Sequence, residues 1–331
     1  MWTDIPIVQA PMAGGPSTPE LAAAVSDAGG LGFLAAGYKT PGAMRADIAR
    51  IRKLTSRPFG MNVFMPSTDE IDPAEVAAYR DRLAPEAERL GVAPGTPGAR
   101  DDAYEEKIAD LLSDPPAFVS FTFGCPSADV IEAFQSRDVV VIVTVTSVDE
   151  ARQASSADAL CLQGFEAGGH RGSFTNTADE PLPLRVLLHS VRAMTSQPLI
   201  AAGGLASSAD VGEVLGLGAV AAQFGTAFVR CPESGASAVH KAALTDPRFT
   251  STALTRAFSG RLARGLVNRF LTEHSPHAPA AYPDVHYVTS PLRKAFAAQG
   301  DPEGVNLWAG VSFHRTTETP AADLVRALTP R

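Results

Sequence analysis

The sequence predicts an α/β fold, a (β/α)8 TIM barrel with a helical segment inserted after its third strand and a C-terminal extension. Three observations predict it. Short apolar or β-branched runs recur about eight times, each followed by a small-residue turn and an amphipathic helical stretch. Several runs are apolar on both faces, as expected of parallel strands covered by helices. The first run ends QAPMAGGP, not in the GxGxxG turn that a doubly wound open sheet would want.

The strands are expected at IPIVQA (5–10), GLGFLAA (30–36), FGMNVF (59–64), AFVSFTF (117–123), VVVIVTV (139–145), DALCLQ (158–163), PLIAAG (198–203) and AVAAQFG (219–225). Helices fall between them. TPELAAAVSDAG (18–29) has Thr18 as its N-cap and Gly29 as its stop, and SADVIEAFQSRD (127–138) and SSADVGEVLGLG (207–218) have the same form. Residues 1–65 and 117–231 therefore make the barrel. Residues 66–116 interrupt the rhythm with about two extra helices, around PAEVAAYRDRLAPEAERLG and YEEKIADLLSD. With the tail 232–331 they are expected to cap the C-terminal rim.

Bulk properties narrow the function class. The chain has 331 residues, 45% hydrophobic and 19% charged, with a net charge of −8. This argues against a nucleic-acid surface or an anionic membrane as partner. The longest apolar runs, such as VVVIV, fall far short of a bilayer span, and the N-terminus lacks the pattern of a signal peptide. Cys125, Cys161 and Cys231 are widely separated without CxxC spacing, which suggests reduced thiols and a cytoplasmic location. The histidines show no ligand spacing, so no metal is expected.

In such barrels the site lies at the C-terminal strand ends. AAGGL (201–205) and QFGTAF (223–228) follow the seventh and eighth strands, where glycine lets main-chain N–H groups approach an anion. Gly203, Gly204, Gly225 and Thr226 are therefore assigned to a phosphate. Pro11 and Met12, in QAPM, would lie against a flat ring. Asn62 and Gln163 would meet the ring's polar edge. Gly168, Gly169 and Gln223 complete the cofactor-binding set, and the cofactor inferred is FMN. The alternative for each amide is a side chain satisfied by backbone. The sixth strand leads into GFEAGGHRGSF, which delivers His170 on bare backbone opposite the phosphate loops.

The combination of PIVQAPMAGG, GMNVF, VSFTFG, QGFEAGGHRG, AAGG, QFGTAFVRCPES, SGRLARGLVNR and LWAG resembles the FMN-dependent nitronate monooxygenases, formerly 2-nitropropane dioxygenases, class I in particular, from about residue 5 to 310. The resemblance implies oxidation of a small nitronate by O2 to a carbonyl compound and nitrite; whether the chain acts as a monomer or homodimer stays open. It implies that His170 is the active-site histidine and that Tyr104 and Tyr282 line the substrate pocket. The family pattern has two tyrosines four apart and a lysine four further on. Here Tyr282 is followed at those spacings by His286 and Ser290, with Tyr287 one residue out of step. His286 is therefore placed in the pocket.

Two roles stay open for His170: an imidazolium that anchors the nitro oxygens, or a neutral base for the α-proton of a nitroalkane. Glu166 either orients it or closes the loop. Cys125 reads as an inert thiol. The run GRLARGLVNR (260–269) reads as a solvated helix face with ion pairs to the barrel, the alternative being a phosphate or subunit contact. An FMN-dependent NAD(P)H:quinone or enoyl reductase, a sugar-phosphate isomerase and a silent binding module are the competing functions.

Overall fold

In the computed structural model, which describes residues 3–176 and 181–330, the eight expected runs form one parallel sheet rolled into a barrel. Its strands are β1 (Ile7–Gln9), β2 (Gly32–Ala35), β3 (Phe59–Phe64), β4 (Phe118–Thr122), β5 (Val140–Val145), β6 (Ala159–Gln163), β8 (Leu199–Ala202) and β9 (Ala221–Phe224). β9 pairs with both β8 and β1. Closure between β1 and β2 rests on a Val8–Leu31 bridge, where Gln9 N–H donates to Leu31 C=O and Leu31 N–H to Ile7 C=O, each at 2.9 Å. Thr18, Thr40, Ser127 and Ser207 cap the helices that follow β1, β2, β4 and β8, each side chain accepting from an N–H of the first turn.

The period-2 alternation of each strand separates two apolar layers. Ile7, Leu34, Val119, Val141 and Leu160 face the helices, while Val8, Phe33, Phe118, Ile142, Cys161 and Ile200 fill the barrel. Toward the C-terminal ends the inward positions turn polar: Phe118 gives way to Ser120 and Thr122, Ile142 to Thr144, Cys161 to Gln163, and Ala221 to Gln223. That change of chemistry places a polar floor under the rim.

The insertion after β3 holds three helices, Pro73–Arg82, Ala84–Leu90 and Tyr104–Ser113. The first expected helix is broken at Leu83 because Pro85 has no N–H to continue the ladder. The first two pack with the C-terminal part into a separate core in which Val76, Tyr79 and Leu83 join Phe258, Phe270, Val288 and Phe296. The tail also adds a second, antiparallel sheet. β10 (Thr252–Thr255) pairs with β11 (Ala263–Leu266), and β11 pairs with β7 (Gly169–His170).

GRLARGLVNR is thus not an exposed helix. Its centre is β11, and Arg261 and Arg264 are buried. Arg261 donates to the carbonyls of Arg171 (3.2 Å) and Ser173, and Arg264 to that of Phe165 (3.0 Å). Both guanidiniums tie down the loop around His170. No helix among the described residues is long and apolar enough to cross a membrane.

Candidate active site

A cavity of about 960 Å3 opens at the C-terminal ends of the strands. Pro11, Met12, Asn62, Gln163, Gly168, Gly169, His170, Gly203, Gly204, Gln223, Gly225, Thr226 and His286 all line it. Tyr282 sits behind this wall, its ring centroid 5.7 Å from that of His170. Tyr104 does not reach the cavity. It opens the helix Tyr104–Ser113 on the same face as Ile108 and Leu111, so its ring packs into the barrel's outer core. Asp102 and Ala103, just before it, line the cavity instead.

One end of the cavity is built from backbone. Gly203 and Gly204 have φ of +113° and +72°, the left-handed region that glycine enters without strain. Among the described residues, nothing accepts a hydrogen bond from the N–H groups of Gly203, Gly204, Gly225 or Thr226. The Thr226 hydroxyl accepts from Gly310 N–H at 2.9 Å and keeps its own proton to donate. Four unused main-chain donors at a cavity end, with a hydroxyl beside them, suit a phosphate group.

The floor amides are partly committed. Gln163 donates to His170 C=O (3.0 Å) and accepts from Gly172 N–H (2.8 Å), so it fixes the histidine loop. Asn62 donates to Ser120 and Thr122, and Gln223 donates to the Cys161 sulfur at 3.3 Å. Gly168 is required by packing, because a Cβ there would lie 2.5 Å from the Gly310 nitrogen. Glu166 closes the loop by accepting from Leu184 N–H and does not orient His170.

His170 stands on β7, where pairing of Ala263 with His170 and of Arg264 with Gly169 removes the freedom of a bare loop. Its Nε2 lies 2.8 Å from Ser259 Oγ. When the Ser259 hydroxyl donates to Arg261 C=O (3.2 Å), the imidazole proton lies on Nε2 and the lone pair on Nδ1. Phe123, Tyr282 and Trp308 surround the ring at 6.0, 5.7 and 5.4 Å. Enclosure by protein, then the charges of Arg261 and Arg293, lower its pKa to about 3. This favours the uncharged imidazole at neutral pH, and with it the role of base over that of imidazolium anchor.

Sequence reasoning missed several residues here. Tyr38 and Phe123 carry φ of +64° and +77°, conformations that cost non-glycine residues strain and cluster at functional sites. Phe123 lies under the Arg261 guanidinium at 4.1 Å. Asp102 accepts from Tyr38 N–H at 3.1 Å and pairs at 2.7 Å with the fully buried Lys107, whose ammonium also donates to Ala36 C=O. Arg293 donates to Thr289 Oγ1 (3.1 Å), Asn306 Oδ1 (3.3 Å), His286 Nδ1 (3.2 Å) and His286 C=O (3.0 Å). The only sequence signal for these was position after a strand or on the tail helix.

Away from the cavity, Glu86, Glu273 and His274 bring ligand-type atoms within 4.8 Å of one another. Arg269 bridges both carboxylates and Arg89 pairs with Glu86, so two guanidiniums already balance the two negative charges. The buried Cys161 and Cys231 have pKa values pushed up to about 12 by burial and are unreactive thiols.

The model of a family described as nitronate monooxygenase matches residues 2–331. The chain is similar to a nitronate monooxygenase from Pseudomonas aeruginosa, 42% identical over 98% of this chain and 95% of the relative. Its structure resembles that of a nitroalkane oxidase from Streptomyces ansochromogenes, with a TM-score of 0.96 and 51% identity over 99% of this chain and 95% of the other. FabK from Thermotoga maritima is also similar, with a TM-score of 0.76 and 26% identity over 98% and 92% of the two chains.

Proposed function

The chain belongs to the nitronate monooxygenase family, a flavin-dependent oxidoreductase family, and from that premise we propose that it oxidises alkyl nitronates with O2, using FMN, to a carbonyl compound and nitrite. The residues present fit that cofactor. Gly203, Gly204, Gly225 and Thr226 would hold its phosphate, Pro11 and Met12 would lie against its ring system, and Asn62 would meet the ring's polar edge. Bound FMN would supply the redox chemistry, accepting electrons from the nitronate and passing them to O2.

The observation that carries the reading is His170, fixed by Ser259, in a cavity that is also lined by a cradle of unused amides. An uncharged imidazole with its lone pair on Nδ1 takes the α-proton of a neutral nitroalkane, so nitroalkanes enter the same chemistry after deprotonation. The proton passes from carbon to Nδ1 while the electron pair of the C–H bond moves onto the nitro group. Phe123, Tyr282 and Trp308 flank the imidazole and leave its remaining side to the cavity. The inserted segment and the tail act as a cap over the site.

The competing reading is an FMN-dependent reductase on the same barrel, which takes hydride from NAD(P)H to a quinone or an enoyl thioester. Oxygen uptake separates the two. The purified yellow protein should consume O2 and release nitrite on adding ethyl nitronate, with no requirement for NADH. Nitrite release that is absent, together with rapid NADH consumption in the presence of a quinone or an enoyl thioester, would favour the reductase.

A further inference from the structure

We infer that Arg293 is the residue that holds the anionic nitro group of the substrate, a specificity-determining contact on the helix Asp284–Ala298. The inference rests on the nitronate reading of the cavity and assigns the anion's partner within it.

Four cationic side chains line the cavity: Lys39, Arg293, Lys294 and Arg315. Lys39 is paired with Asp47, and Arg315 lies 4.0 Å from Asp210. Lys294 is exposed. Arg293 differs from all three. Every acceptor it meets among the described residues is neutral: Thr289 Oγ1, Asn306 Oδ1, His286 Nδ1 and His286 C=O. Arg261, the other guanidinium near His170, has Asp69 within 4.0 Å and does not line the cavity.

Arg293 is half-buried at the cavity wall, and a cation in such a place without a carboxylate is costly unless an anion joins it. The neutral acceptors orient the guanidinium through four of its five N–H groups, leaving one on NH1 to donate to a ligand. Enclosure lowers its pKa only to about 10, so it stays charged at neutral pH. His286, which must accept on Nδ1 because arginine has no acceptor, is held uncharged beside it. Since His170 is uncharged too, neither histidine supplies the positive charge that a nitronate needs. Arg293 supplies it, and the positive field lies where negative charge collects as a nitroalkane loses its proton.

The test compares Arg293→Met and Arg293→Lys with the wild-type flavoprotein, using ethyl nitronate and neutral nitroethane. Nitrite release by the wild type is measured first, and its absence would defeat the nitronate reading itself, independently of Arg293. With that activity present, Arg293→Met should retain its flavin and raise KM for the nitronate by roughly 30-fold, the worth of a charged hydrogen bond. KM for nitroethane should change by less than about threefold, because the neutral ground state makes little use of the charge. An unchanged nitronate KM, or an equal rise for both substrates, would overturn the inference. Inorganic nitrate, planar and unreactive, gives a second readout that survives misfolding of the methionine variant. Nitrate should compete with ethyl nitronate in the wild type and several-fold less well in Arg293→Lys. Lack of competition, or equal competition in both, would overturn it as well.

Discussion

Tyr38 and His286 stack face to face, their ring centroids 4.1 Å apart and their planes within 6° of parallel. The contact joins the loop after β2 to the tail helix, two segments that the chain separates by most of its length. Tyr38 is held for this contact at a left-handed φ by Asp102, itself paired with Lys107. The Tyr282 hydroxyl donates to that of Tyr38 at 3.2 Å, and Tyr282 packs on His170. One chain of contacts thus runs from the buried ion pair through the aromatic wall to the imidazole. The following predictions probe its links.

Lys107→Met should destabilise the protein by about 3 kcal/mol, because it leaves Asp102 without its buried partner. It should also loosen Tyr38. Denaturant melts should record the loss, and an unchanged midpoint would show that the pair does not hold this wall.

His170→Asn should keep the fold and the flavin while lowering kcat/KM for neutral nitroethane by roughly 100-fold or more, the usual worth of a positioned base. The loss with ethyl nitronate should be smaller, since that substrate has no α-proton to surrender. Equal losses on the two substrates would contradict the base role.

Ser259→Ala should lower kcat/KM for nitroethane by roughly five- to tenfold, the cost of one hydrogen bond that fixes the ring. Flavin content should stay unchanged. A variant as active as the wild type would show that the ring is positioned by its aromatic neighbours alone.

Gly225→Val and Gly203→Val should separate cofactor binding from folding. A Cβ on Gly225 would meet Ala10 and Met12 at 3.6 and 3.8 Å, ordinary contacts, so the added bulk should chiefly displace the phosphate. Flavin retention should fall with little change in the melting of the apoprotein. At Gly203, with φ of +113° and atoms of Ala167 at 3.1 Å, both should suffer, the strain costing about 1–3 kcal/mol. Full flavin occupancy in Gly225→Val would count against the cradle.

Acid should weaken the fold through the buried His240 and the half-buried His170 and His286. Enclosure first, then neighbouring positive charge, lowers His170 to about 3 and His286 to about 2, and enclosure lowers His240 to about 4. The unfolded chain titrates near 6.5, so below that pH it binds protons that the native state refuses. Stability then rises with pH, and each such group contributes about 1.4 kcal/mol per pH unit between its folded and unfolded values. His286→Gln should therefore lose about 2 kcal/mol less than wild type between about pH 6.5 and 5. Parallel pH profiles for the two proteins would refute the assignment.

The barrel was legible in the sequence because parallel strands covered on both faces must be apolar runs, and each one expected was found. The turns with Gly203 and Gly204 after β8 and with Gly225 and Thr226 after β9, and His170, were legible for the same reason, since they sit where strands end. Arg261 and Arg264 misled, because charged residues are rarely buried and nothing local shows that carbonyls of a distant loop await them. The two-residue strand that carries His170 was invisible, as its partner lies about a hundred residues away. Tyr38 and Phe123 gave no signal, since a positive φ on an aromatic residue leaves no mark on the sequence. Tyr104 went astray because the phase of its helix, not its position in the chain, decides which way its ring points.

The central claim is that this cavity presents a nitronate to a bound flavin beside an uncharged His170. Anaerobic stopped-flow mixing of the purified yellow protein with ethyl nitronate tests it most directly. The account predicts rapid loss of the oxidised flavin's visible absorbance with the nitronate and none of comparable rate with NADH. Bleaching by NADH alone, with the nitronate leaving the spectrum untouched, would contradict it.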